Sequence, residues 1–574
     1  MHKLQAIPIS PGIAHGPIFY YTRRKIQAER LENCDPEAER RRLQSALEQS
    51  ASQLKEVRAH ASQQVSAEEA MIFEAQEMFL SDPELLDQVH TRLDAEFCNA
   101  EFAWQEGVEH FAQMLASLDD PYLAARSADV RDVGQRVLRL LAGVSDAPRS
   151  LARPAIILAE DLTPADTVMF EKSFVLGFCT AQGGPTSHVA ILSRALGIPA
   201  VVGIGAWINL LASSRDVLLD GSSGELILDP QAEQISAFRA RSEQWHRIYT
   251  RALAAAKEPA RTLDGKGIEI AANIGSPAEA ENALAMGAEG VGLFRTEFLF
   301  LDRETPPSEE EQIQAYRQAL QAFSPYPVIF RTLDIGGDKP APYLDIPQEL
   351  NPFLGLRGAR LTLARPDLFT TQLRALLRAG AGFPLRVMFP MVDSREDVRQ
   401  ARRLLDLAQG ELAEAGLPHA SEIQAGIMVE VPSAAIIADV LAEAADFFSI
   451  GTNDLSQYTL AADRTNPAVA VRADALEPAV LRLIQNVVVA AHRRGRWVGL
   501  CGELGGDPLA APVLVGLDID ELSMNARAVP LVKAAIRRLS ASAAQQIAQH
   551  CLKLASAAEV RQYLSELPPV GGSL

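Results

Sequence analysis

Phe447-Phe448-Ser449-Ile450-Gly451-Thr452-Asn453-Asp454 is an apolar run closed by glycine that gives way at once to an amide and a carboxylate. Apolar five-residue runs bounded by glycine read as buried strands, and polar residues at their C-terminal ends are where barrel enzymes place their chemistry. The same grammar recurs. Candidate strands are Ile268 to Asn273, Gly290 to Phe294, Val328 to Leu333, Leu385 to Pro390, Ala425 to Val431, Phe447 to Gly451, Trp497 to Cys501 and Ile519 to Ser523. Helical stretches lie between most of them, so the spacing predicts a parallel (β/α)8 TIM-type barrel.

The polar residues collect at one end of these strands. Arg295 and Glu297 follow the second, Arg331 and Asp334 the third, and Glu430 closes the fifth. Asn453 and Asp454 follow the sixth, Cys501 and Glu503 the seventh, and Asn525 the eighth. Guanidinium groups pair with phosphate and carboxylate in a bidentate way, so Arg295, Arg331, Arg357 and Arg464 suit a small ligand carrying both groups. Two hard carboxylates, Glu430 and Asp454, suit Mg²⁺ bridged to phosphate oxygens. Cys501 at a strand end could serve as an acid. Taken singly, each arginine also reads as a surface salt bridge, Cys501 as a core thiol, and the two carboxylates as supporting partners. Convergence on one rim is what favours a functional reading.

Upstream stands Gly183-Gly184-Pro185-Thr186-Ser187-His188, followed by the helix-compatible Val189-Ala190-Ile191-Leu192-Ser193-Arg194. Glycines permit close backbone approach, and a hydroxyl residue opening a helix exposes N–H groups suited to an anion. A histidine in that first turn can take a phosphoryl group through a neutral imidazole; a glycine turn with a surface histidine is the alternative. Around it, Pro154 to Ala159, Phe174 to Phe178, Pro199 to Gly203 and the hairpin Val217 to Gly221 with Glu225 to Leu228 predict a compact α/β domain, with a short helix Pro164 to Phe170.

Before it the period is helical. Residues 4 to 20 form a strand-like piece. Asp35-Pro36 then opens a helix placing Leu43, Leu47, Leu54 and Val57 on one face, and Ser66-Ala67-Glu68-Glu69 has capping-box spacing ahead of Met71, Ile72 and Phe73. Asp82-Pro83 predicts a helix carrying Ala100, Trp104, Val108, Phe111 and Leu115, and Asp120-Pro121 another carrying Val130, Val133, Val137 and Leu140. Together these predict a helical hairpin domain. Gln231 to Lys257 reads as a polar connecting helix.

A chain of 574 residues exceeds one core and predicts three or four domains. The expected organisation is 1–30 with 150–230 as a phosphohistidine α/β domain, 31–149 as a helical carrier-binding domain, 231–257 as a linker, and 258–574 as the barrel. A net charge of −19 argues against nucleic-acid or anionic-membrane binding. Five cysteines without a Cys-x-x-Cys pair suit reduced thiols in the cytoplasm. No apolar run is long enough to span a bilayer, so a soluble intracellular protein is expected.

The sequence resembles the enzyme I family of the bacterial phosphoenolpyruvate-dependent sugar phosphotransferase system over essentially its whole length. Ser10-Pro11-Gly12-Ile13-Ala14, Gly183 to His188, Gly292-Leu293-Phe294-Arg295-Thr296-Glu297 and Phe330 to Lys339 carry the resemblance. So do Asn351-Pro352-Phe353-Leu354-Gly355-Leu356-Arg357, Phe448 to Leu455 and Cys501-Gly502-Glu503. The resemblance implies that His188 takes phosphate from phosphoenolpyruvate held by Arg295, Arg331 and Arg464, with Asn453 orienting it. It further implies Mg²⁺ on Glu430 and Asp454, Cys501 as proton donor to give pyruvate, and Thr167 as a residue orienting the histidine. The phosphoryl group would pass to the carrier HPr docked on the helical domain, and the barrel would form a homodimer. Reaching both partners implies a swivel of residues 150 to 230.

Two departures stand out. Val189 follows the histidine where the family has a small residue, and Pro185 removes a backbone donor. Three alternatives share part of this pattern. A pyruvate phosphate dikinase-like enzyme needs an ATP-binding domain, for which residues 1 to 150 are too short and too helical. The enzyme I portion of a fused multiphosphoryl transfer protein, or a nitrogen-related phosphotransferase, would differ in its flanking modules. A non-enzymatic scaffold is the contrasting class, and it leaves the rim residues without a purpose.

Overall fold

The computed structural model describes residues 2–22, 26–61, 76–116, 121–144, 151, 153–163, 166–167, 170–184, 187–301, 303–336, 341–344, 346, 349–464, 466 and 469–567. The expected capping box at Ser66 to Glu69, the residues Pro185 and Thr186, and most of the expected helix Pro164 to Phe170 lie outside them. The chain divides into two compact units, Met1–His246 and Arg247–Leu574.

The first unit holds a helical bundle and a mixed sheet. Helix α1 (Pro36–Ala61) begins where the Asp35 carboxylate accepts from the Glu37 N–H at 3.1 Å. Its Leu43, Leu47, Leu54 and Val57 are buried, as their spacing predicts. Helix α2 (Pro83–Glu96) is capped by Asp82, which accepts from the N–H groups of Glu84 and Leu85. Here the sequence reading needs correction, because the helix begun at Asp82-Pro83 does not run on through Leu115. It stops at Phe97, whose backbone turns left-handed, and α3 (Ala100–Ala116) starts afresh. Asn99 makes the break, accepting from the Leu31 N–H and donating to the Glu29 carbonyl. The turn lets α2 and α3 pack closely: a side chain on Gly107 would meet Val89 at 2.5 Å. Helix α4 (Pro121–Leu141) completes the described bundle, and Trp104 Nε1 donates to the Gly134 carbonyl at 3.0 Å across α3 and α4.

Eight strands form the sheet beside it: β1 (His2–Gln5), β2 (Ile7–Ser10), β3 (Ile13–Tyr21), β4 (Ala155–Ala159), β5 (Val175–Thr180), β6 (Ala200–Val202), β7 (Asp216–Asp220) and β8 (Glu225–Leu228). Their order is β1-β8-β7-β3-β4-β5-β6-β2, parallel from β3 to β6 and antiparallel elsewhere. Helix α5 (His188–Leu196) is wedged between two cores. Val189 and Ala190 pack with Ile157, Phe178 and Val202 of the sheet, while Leu192 belongs to the core of the helical bundle. Burying both faces fixes the helix that begins at His188. Helix α6 (Ile208–Ser213) follows β6, and α7 (Ala232–Ala254) follows β8.

In the second unit β9 (Ala260–Arg261) pairs antiparallel with β10 (Gly267–Ile274). Strands β11 (Val291–Arg295), β12 (Val328–Arg331), β13 (Leu385–Phe389), β14 (Ile423–Val429), β15 (Phe447–Ile450), β16 (Trp497–Leu500) and β17 (Glu521–Met524) continue from β10 as a parallel sheet. β10 pairs with both β11 and β17, so the eight strands close into a barrel. Alternation sorts the side chains. Phe294, Phe330, Phe389 and Phe448 pack outward under the helices, while Leu293, Ile329, Met388, Met428, Phe447 and Cys501 fill the interior. Glu430 and Cys501 stand one residue beyond β14 and β16, on the rim.

Candidate active site

Arg331, the last residue of β12, is buried, and one of its guanidinium nitrogens donates to Glu297 Oε1 at 2.7 Å. The other lies 3.0 Å from Asp334 Oδ2. Asp334 also receives Arg357, through Nε at 3.2 Å and a terminal nitrogen at 2.9 Å. Asp454 Oδ2 lies 3.5 Å from Arg357, and its Oδ1 lies 3.5 Å from Arg464. The described rim therefore carries a continuous chain of alternating charge across three strand ends. Gly336 makes the join possible: its φ is +110°, and a side chain there would meet the Leu356 carbonyl at 2.3 Å. Only glycine lets the loop bring Arg357 over Asp334.

Burial opposes the charges of Arg331 and Arg357, but the neighbouring carboxylates outweigh it and hold both guanidinium groups more firmly protonated than usual. Their charge is permanent and their planes are fixed, as bidentate recognition of phosphate or carboxylate demands. Arg295, at the end of β11, is exposed and makes no ion pair among the described residues, so it is free for a ligand.

Glu430 is buried, and Oε1 accepts from the Met391 N–H at 2.6 Å. Burial and then the carboxylates of Asp454 and Asp334 push it well above the usual carboxylate range. Asp454 Oδ1 is buried without a hydrogen-bond donor among the described residues. Two hard oxygen donors, one without a hydrogen bond beyond its ion pair to Arg464 and one disfavoured as an anion, fit a divalent cation. No group of three or more His, Cys, Asp or Glu ligands occurs among the described residues, so such a cation would fill its remaining positions with substrate oxygens and water.

Asn453 Oδ1 accepts from the Glu503 N–H at 3.0 Å, tying the ends of β15 and β16 together. Cys501 is buried, its N–H donates to the Ile450 carbonyl at 3.0 Å, and its carbonyl accepts from Asn273 at 2.8 Å. Burial pushes the thiol up to about 11, so it is a protonated acid at neutral pH.

In the first unit, Ser187 precedes α5 in extended conformation and Gly197 closes the helix with φ +66°. Gly183 has φ +101°, which only glycine adopts readily. Val189 is buried in the sheet core, so the departure at this position is a packing choice on the inner face of the helix. Thr167 is buried and its hydroxyl donates to the Thr163 carbonyl at 3.1 Å. The residues flanking it, Leu162 and Phe170, pack with Val189.

The rim thus gathers Arg331, Glu430 and Asp454, which the sequence placed at strand ends, with Arg357 and Arg464, which it offered as ligand-pairing arginines. Sequence reasoning placed Glu297 and Asp334 there without a role, and they hold the arginines. A carboxylate two or three residues from an arginine in an otherwise apolar strand end is the signal that marks them.

Three family models match. They are a PEP-utilising enzyme N-terminal domain over residues 5–126, a PEP-utilising enzyme mobile domain over 151–224, and a PEP-utilising enzyme PEP-binding domain over 250–541. The class is set by those three modules in that order. The chain is 42% identical over 570 residues to the phosphoenolpyruvate-protein phosphotransferase of Priestia megaterium, covering 99% of this chain and 100% of that one. It is 42% identical over 574 residues to the protein of the same name from Bacillus subtilis, covering 99% and 100%. A multiphosphoryl transfer protein of Xanthomonas campestris is 46% identical over 526 residues, covering 90% of this chain and 62% of that one. The chain belongs to the phosphoenolpyruvate-protein phosphotransferase family and is a phosphotransferase enzyme. Enzymes of this family work with a divalent metal. Among the described residues no helix is long and apolar enough to cross a membrane.

Proposed function

We propose that this enzyme takes the phosphoryl group of phosphoenolpyruvate onto His188, releases pyruvate, and passes the group to a histidine of the carrier HPr in the cytoplasm. The observation that carries the reading is the pair of buried guanidinium groups, Arg331 and Arg357, each fixed by Asp334 beside two cation-ready carboxylates. That arrangement matches a ligand bearing phosphate and carboxylate at once. Arg295, Arg331 and Arg464 receive these groups, Arg357 closes the rim, and Asn453 orients the substrate. Mg²⁺ held by Glu430 and Asp454 would neutralise phosphate charge as a Lewis acid. The chain's own contribution is positioning, which phosphoryl transfer needs more than covalent help. Cys501, kept protonated by burial, gives its proton to C3 of the enolate. Thr167 orients His188, the helical bundle receives HPr, and the barrel forms a homodimer.

The test is transfer of radiolabelled phosphate from phosphoenolpyruvate with Mg²⁺ to the wild type, His188→Ala and Glu430→Ala, with ATP as control donor. Acid-labile, base-stable label on the wild type alone, and none from ATP, is expected. Label that survives His188→Ala, or arrives from ATP, overturns the reading.

A further inference from the structure

Directly beneath the Cys501 thiol, the barrel interior contains two buried polar atoms that the reaction above does not use. Outward-facing Phe448 and Ile450 on β15, Val498 and Leu500 on β16, and Leu522 and Met524 on β17 pack under the helices. By alternation Ser449, Gly499 and Cys501, Glu521 and Ser523 face inward. The register sets Ser449 opposite Gly499 and Gly499 opposite Glu521, so the three share one level on adjacent strands. Cys501 stands two residues beyond Gly499, one level above.

Gly499 leaves this level open, and Glu521 reaches into it. A side chain built on Gly499 would come within 3.1 Å of Glu521 Oε1, and one on Gly292 within 2.4 Å. Both Ser449 Oγ and Glu521 Oε1 are buried and have no hydrogen-bond partner among the described residues. Leaving a hydroxyl and a carboxyl oxygen unpaired in a core is costly, and two at one level call for a role.

We propose that Glu521 is the proton store that recharges Cys501, with the Ser449 hydroxyl as relay. This rests on the reading of Cys501 as the acid. When the S–H bond breaks to form the C3–H bond of pyruvate, its electron pair stays on sulfur as a thiolate in a closed barrel. Ser449 then gives its hydroxyl proton to sulfur and takes one from the Glu521 carboxyl, leaving a carboxylate that recovers its proton from water at the opposite mouth. There Glu269 and Trp497 are partly exposed, Glu269 pairing in register with Glu521. The proton runs downhill. Burial and then Glu269 hold Glu521 up at about 8, against about 11 for the thiol. The charged groups facing Glu521 are Glu269 on β10, Arg386 on β13 and Asp520 beside it; those facing Cys501 are Arg331, Glu430 and Glu521 itself.

The experiment follows exchange of the methyl protons of pyruvate with D2O by the full chain, at equilibrium with phosphoenolpyruvate and Mg²⁺. Glu521→Gln is expected to slow exchange at least about ten-fold near pH 7, and to abolish the fall in wild-type rate as pH rises past about 8. Thiolate absorbance, taken as the difference from Cys501→Ser, is expected to titrate higher in Ser449→Ala, which removes a neighbouring hydroxyl that favours the thiolate. It is expected to titrate lower in Glu521→Gln, which removes a negative neighbour. Shifts in the same direction would mark mere loosening of the core and overturn the proposal, as would wild-type exchange in Glu521→Gln. Unchanged exchange in Cys501→Ser would instead overturn the reading of Cys501 beneath it.

Discussion

The barrel rim and the helical bundle use the same ion-pairing residues to opposite ends. In the bundle, Arg42 meets Glu39 and Glu101 on the surface, with its side chain 45% exposed. At the rim, Arg331, Arg357, Glu297, Asp334 and Asp454 are all at most 8% exposed at the side chain. Exposed pairs are screened by water and add little to stability, whereas buried ones carry a desolvation cost that only a complete network offsets. The bundle is held by shape, and its ion pairs trim the surface. The rim keeps its charges in the core, where the proposed ligand would use them.

The sharpest way to break that contrast is Asp334→Ala, which removes the carboxylate shared by two buried guanidinium groups. It is expected to lower kcat/KM for phosphoenolpyruvate at least about 100-fold and to destabilise the barrel by about 3–5 kcal/mol, measured by steady-state kinetics and urea unfolding. In the bundle the comparable damage comes from a large apolar residue. Trp104→Ala removes a fully buried ring and its bond to Gly134, and is expected to cost about 3–5 kcal/mol in the first unit. Calorimetric titration of phosphoenolpyruvate with Mg²⁺ is expected to show unchanged affinity at the barrel.

A smaller effect separates Glu521 from the surface carboxylates. Its protonated form is favoured by burial, so between the ordinary glutamate value and about 8 the folded state holds a proton that the unfolded state has released. Its contribution is complete at low pH and is lost as pH rises to about 8. Unfolding free energies measured from pH 5 to 8 are therefore expected to fall with a slope of up to about 1.4 kcal/mol per pH unit in the wild type relative to Glu521→Gln. Arg42→Ala is expected to do least, shifting bundle stability by less than about 1 kcal/mol, and that little is expected to shrink further in high salt.

The strand ends were legible because a parallel barrel writes itself as apolar runs closed by polar residues, and Arg331, Glu430, Asp454 and Cys501 all fell on that pattern. The α2–α3 break was not, since Leu85, Val89 and Leu93 before it and Ala100 to Leu115 after it both keep helical period, and nothing local shows that Asn99 bonds backward to Glu29 and Leu31. Glu521 was equally hidden. Its neighbours Gly499 and Gly292 lie 22 and 229 residues away, and only barrel closure brings them to one level.

The sequence by itself determined the module order, the eight strands, the rim residues and the helix opening at His188, because periodicity, caps and strand-end polarity are local properties of the chain. The tertiary structure alone decided which carboxylates hold which arginines, that Val189 faces a core, and that Ser449 and Glu521 share one level of the barrel interior. Those facts depend on register and closure across strands far apart in the chain, which local signals do not encode.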